Sequence, residues 1–84
     1  MSKIYLEAMV PGNAKKYEFM ADSRMTAGLV KAQFIEQVEA IEKIKLFEDR
    51  NKVLMACLDL NGLLQDTDIL GEVGVKSGSR MMLI

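Results

Sequence analysis

From Lys3 to Val10 apolar and polar positions alternate. Ile4, Leu6, Ala8 and Val10 share one face, and Lys3, Tyr5, Glu7 and Met9 share the other. A period of two predicts a half-buried strand. Pro11-Gly12-Asn13 is a turn signal, and Lys16-Tyr17-Glu18-Phe19-Met20 alternates again with Tyr17 and Phe19 on the apolar side. Two such runs about one turn predict an antiparallel hairpin.

The period then changes. Thr26, with Ser23 as the alternative, is the expected N-cap of a helix. From Thr26 to about Lys43, Ala27, Val30, Phe34, Val38 and Ile41 fall within one stripe less than about 100° wide. Glu36, Glu39, Glu42 and Lys43 are expected on a solvated face. Leu46 and Phe47 leave the stripe, so the helix should end near Ile44 and Lys45 to Lys52 should form a charged loop or a short second turn. Val53 to Leu58 is apolar throughout and reads as a third strand, followed by a tight turn at Asp59-Leu60-Asn61-Gly62 and a very short return strand at Leu63-Leu64. Asp66-Thr67-Asp68 is expected to cap one helical turn, Ile69 to Val73, ended by Gly74. Ser77-Gly78 then turns the chain into a last strand, Ser79 to Ile84.

Hairpin, helix, strand, short strand and last strand around one amphipathic stripe predict an α+β fold: a β-grasp, with a mixed sheet of four to five strands packed on one main helix. The 84 residues are expected to form a single domain spanning 1–84.

Composition narrows the chemistry. Eleven Lys and Arg against twelve Asp and Glu leave a net charge of −1, which predicts neither nucleic acid nor an anionic membrane surface as partner. No apolar run reaches the roughly 20 residues of a membrane span. The first residues carry no long apolar stretch of the kind found in a signal peptide. With one cysteine and no internal disulfide, a cytoplasmic location is expected. The sequence holds no histidine, hence no imidazole base and no histidine-ligated metal. Cys57 reads as a small buried hydrophobe, Asp66 and Asp68 as capping residues, and Gly74 and Gly78 as turn residues. No catalytic residue, metal or cofactor is predicted, and the chain is not expected to be an enzyme.

Thr26-Ala27-Gly28-Leu29-Val30-Lys31-Ala32 resembles the helix start of ubiquitin-like proteins, and the stretch from Asp68 to Leu83 resembles their ending. Val10-Pro11-Gly12 leading to Lys16-Tyr17-Glu18-Phe19, the Leu58 to Leu64 turn, and the ending Gly74 to Met81 are similar to the bacterial YukD/EsaB group of ubiquitin-like proteins. The resemblance spans Lys3 to Ile84, and Glu42 to Lys52 has no counterpart in ubiquitin itself. It implies an accessory of a type VII (Esx/Yuk-like) secretion system, in a group whose members are small cytoplasmic proteins or domains fused to a membrane component, that acts in the cytoplasm by binding rather than conjugation, with secretion-machinery components as candidate partners. Ubiquitin-type modifiers and sulfur carriers resemble this fold too, but work through a Gly-Gly end. The sequence here ends in Leu83-Ile84, so conjugation and sulfur transfer are the disfavoured alternative.

One surface carries a candidate function. Met81 and Leu83 should face the helix, which turns Arg80, Met82 and Ile84 outward; Tyr5, Glu7 and Met9 point outward from the first strand. In a β-grasp these two strands are central neighbours. The third strand adds either Val53, Met55 and Cys57 or Leu54, Ala56 and Leu58 to the same face; the pattern leaves that phase open. Contiguous exposed apolar surface marks interaction sites, and methionine suits adaptable contacts. Tyr5, Met9, Arg80, Met82 and Ile84 are therefore the candidate protein-binding residues, for a protein partner or for a second copy in a homodimer; cover by the Lys45 to Lys52 segment is the remaining alternative. The resemblance places this face where ubiquitin binds its partners.

Overall fold

The computed structural model describes residues 2–10, 15–45 and 47–84. Five strands and one long helix follow each other as β1 (Lys3–Met9), β2 (Lys16–Asp22), α1 (Ala27–Glu42), β3 (Met55–Cys57), β4 (Gly62–Leu64) and β5 (Arg80–Leu83). The sheet order is β2-β1-β5-β3-β4. β1 and β5 run parallel, and every other neighbouring pair is antiparallel. The helix covers one face of this mixed sheet, as the α+β expectation requires.

The hairpin forms in the expected phase. Ile4, Leu6, Ala8, Val10, Phe19 and Ala21 are buried, and β2 runs on to Asp22. The turn predicted at Pro11-Gly12-Asn13 lies outside the described residues, as does Leu46. Thr26 is the N-cap of α1, its hydroxyl accepting from the Leu29 amide. The first helical amides are satisfied from elsewhere in the chain. Ala27 donates to the Asp68 carbonyl and Gly28 to the Asp66 carbonyl, so the helix start is clasped by the segment after β4. At the other end, Lys43 takes a left-handed conformation, φ 58°, and stops the helix at Glu42.

Three expectations need correction. Ile41 is 65% exposed rather than part of the core stripe. It continues the stripe in angle, but it lies on the last turn, beyond Val38, where the core ends. Lys31 and Ile35 are buried in its place. The single helical turn expected at Ile69 to Val73 does form: Glu72 and Val73 both donate to the Ile69 carbonyl, and Val75 closes it onto Leu70, with Gly74 at φ 99°. Asp66 and Asp68 do not cap it: Asp66 pairs with Lys31, and Asp68 accepts from the Gln65 amide behind it. Finally, Glu42 is not simply solvated, because its carboxylate accepts from Lys15 and from the Tyr17 hydroxyl.

β3 is shorter than its apolar run suggests. Leu58–Leu60 turns into a 3-10 segment and Arg50–Lys52 forms another. Outside β3 and β5 proper, Leu54 and Ile84 still exchange two backbone hydrogen bonds, at 3.0 and 2.8 Å. Val53, Met55 and Cys57 point inward and are buried, which resolves the open phase: Leu54, Ala56 and Leu58 point outward. Cys57 packs as a buried hydrophobe. Among the described residues no helix is long and apolar enough to cross a membrane.

Candidate protein-docking face

The face of the sheet opposite α1 is open, and its side chains follow from strand register. Met9 is the Cα partner of Met82, Met82 of Ala56, and Ala56 of Leu63. Partners in a register point the same way. One apolar row therefore crosses β1, β5, β3 and β4. Ile84 and Leu54 form the next row on one side, 57% and 47% exposed, and Leu63 ends the first row at 56%. Met9, Met82 and Ala56, at the middle, are half-buried by their neighbours.

The predicted residues divide. Met9, Met82 and Ile84 belong to this contiguous patch. Tyr5, although exposed, lies four residues back from Met9 along β1 and is opposite Met20; Glu7 and Glu18 separate that pair from the patch. Arg80 does point outward, but its side chain is engaged: Nη2 donates to Asp59 at 3.0 Å, and its backbone amide donates to the other carboxylate oxygen at 2.6 Å. These bonds hold the Asp59 carboxyl below the usual carboxylate range, the backbone bond most. Arg80 is thus a clamp between the end of β3 and the start of β5 as much as a rim contact. Leu63, Leu54 and Leu58 were not among the named site residues; carrying the short return strand's period of two through to the neighbouring strand would have found Leu63.

Several polar side chains around the face are paired. Lys16 reaches Glu7 at 3.3 Å. Arg24 grips Asp22 and holds its carboxyl down at about 2, chiefly through the side-chain hydrogen bonds. A shallow cavity of about 380 Å³ lies beside the β3–β4 connection. Three of the polar groups lining it are already engaged: Asp59 pairs with Arg80, the Ser77 hydroxyl accepts from the Tyr5 amide and the Ser79 hydroxyl accepts from the Lys76 amide. Among the described residues no three His, Cys, Asp or Glu side chains converge as metal ligands.

No protein-family model matches the sequence, and no curated protein matches it. Solved structures do match. A ubiquitin-like protein from Trypanosoma brucei is 26% identical, with a TM-score of 0.71, over 99% of this chain and 94% of that one. The UBL domain of Plasmodium falciparum Dsk2 gives 21% identity and a TM-score of 0.73 over 96% and 95%. Caldiarchaeum subterraneum ubiquitin gives 20% and 0.71 over 98% and 91%. The chain has the ubiquitin-like β-grasp fold. At these identities the likeness establishes the architecture alone.

Proposed function

We propose that this chain is a non-conjugating ubiquitin-like binding module, a single domain over residues 1–84, that docks a protein partner on its open sheet face. The observation that carries the proposal is the row Met9, Met82, Ala56 and Leu63, extended by Ile84 and Leu54, which leaves contiguous apolar side chains uncovered by any described part of the chain. Water contact at such a patch is unfavourable in proportion to its apolar area, and a partner removes it. Two of its central side chains are methionines, which repack against varied surfaces. The candidate contacts are Met9, Met82 and Ile84, with Arg80 at the rim and Tyr5 on an adjoining patch. The sequence resemblance to the YukD/EsaB group supports the finer part of the proposal: a cytoplasmic accessory of a type VII secretion system whose partners are components of that machinery.

The test is capture of partners from lysate with the wild-type chain and with a Met82→Glu, Ile84→Glu double variant that retains its circular-dichroism spectrum. Secretion-machinery proteins recovered by the wild type and lost by the variant are the expected result. Recovery of the same partners by both chains would sink the docking face, and partners unrelated to secretion would sink the finer assignment alone.

A further inference from the structure

The charge pattern of the docking face specifies more than apolar contact. Along β1 the outward side chains read Lys3, Tyr5, Glu7, Met9, and the β2 residues opposite are Asp22, Met20, Glu18 and Lys16. An acidic pair therefore sits between an apolar pair and the apolar row. Glu7 and Glu18 are direct cross-strand neighbours, an arrangement in which like charges repel and cost stability. Nearby cations do not resolve it. Arg80, the β5 neighbour of Glu7, gives its guanidinium to Asp59. Lys16 meets Glu7 at 3.3 Å from a largely exposed position, a geometry that contributes little in water. Glu18 forms no ion pair among the described residues.

Resting on the docking-face reading, we infer that the partner presents an amphipathic helix whose apolar face carries a central Lys or Arg, with apolar side chains one turn before and one turn after it. Alternate residues of a strand are spaced by about 6.8 Å. Four residues of helix rise about 6 Å. A helix laid along β1 with apolar groups at i and i+8 and a cation at i+4 thus meets Tyr5–Met20, then Glu7–Glu18, then Met9, which lies between Lys16 on β2 and Met82 on β5. A helix over an open sheet is also the layer packing that buries such a face. The cation relieves the Glu7–Glu18 repulsion, so a cost in the free protein becomes selectivity in the complex, and an acidic partner is repelled.

The experiment uses two synthetic helical peptides of ~18 residues, identical except for Lys or Glu at the centre of the apolar face. Each is titrated into the isotope-labelled chain and followed by amide chemical shifts. The expected result is that the Lys peptide shifts amides of β1, β2 and β5 and binds about tenfold tighter than the Glu peptide. Glu18→Lys is expected to reverse that preference while raising the unfolding midpoint of the free chain by about 1–4 °C, because it removes the repulsion. Equal affinity of the two peptides, an unchanged preference in Glu18→Lys, or no binding of the Lys peptide at about 1 mM would overturn the inference. If charge proves irrelevant but Met82→Glu still abolishes peptide binding, the docking face survives and only its basic partner falls; shifts that lie off the sheet face would remove both. Concentration-dependent shifts of the same amides without peptide would assign the face to a second copy instead, which also overturns it.

Discussion

Lys31 of α1 is only 7% exposed, and its Nζ donates to the Val53 carbonyl and to the Asp66 carboxylate, each at 2.8 Å. The two bonds differ in weight. Asp66 is 68% exposed in its side chain, so water can replace Lys31 there, whereas Val53 is buried and its carbonyl would lose a partner that water does not readily supply. Lys31→Met keeps the aliphatic stem and should cost about 1–3 kcal/mol, against about 1 kcal/mol or less for Asp66→Asn. Urea unfolding of the two variants checks the order, and equal losses would contradict it. Counting apolar residues could not reveal Lys31, because its burial depends on a packed stem and a paired head. The same counting placed Ile41 in the core for the opposite reason: angle around a helix is legible in a sequence, but how far the core extends along it depends on where the sheet stops.

Two elements owe their positions to contacts that cross the chain. Gly28 sits in the first turn of α1, where an added Cβ would lie 3.0 Å from the Asp66 Cβ and 3.1 Å from its carbonyl oxygen. Alanine in place of a mid-helix glycine ordinarily gains about 1 kcal/mol. Here Gly28→Ala is expected to lose that gain to the crowding, and Gly28→Val to destabilise by about 1–3 kcal/mol, as thermal unfolding would show; a stabilised Gly28→Ala would contradict the clasp. The far end of the helix is tied by Glu42, whose pKa is lowered first by the Tyr17 hydroxyl and then by Lys15. A carboxyl held down in the folded state contributes stability at neutral pH that is lost as pH falls through the ordinary carboxylate range. Stability should therefore fall on acidification below about pH 4.5 more steeply in the wild type than in Glu42→Gln; parallel curves would contradict the tie. The strands of the hairpin were legible because each buries one face and alternates. β3 was not, because Val53 to Leu58 is apolar at every position, and only pairing with Leu83 and Met81 sets Met55 and Cys57 inward.

At the scale of the whole molecule, the order of elements was enough to predict the α+β β-grasp, since one amphipathic helix and a hairpin leave few ways to cover a sheet. The docking face was legible in part. Met9, Met82 and Ile84 come together as their alternation implies, while Tyr5 is set apart by the Glu7–Glu18 row and Arg80 is engaged by Asp59. Both facts depend on register between strands distant in sequence, which a single strand's pattern does not contain. The central claim is that the open sheet face, and not the helix face, docks the partner. The most direct measurement is the equilibrium affinity of a captured partner for wild type, for Met82→Glu, and for Gln33→Glu on the exposed side of α1. At least a tenfold loss, about 1.4 kcal/mol or more, is expected for Met82→Glu and unchanged binding for Gln33→Glu. Full affinity in Met82→Glu with loss in Gln33→Glu would contradict the central claim.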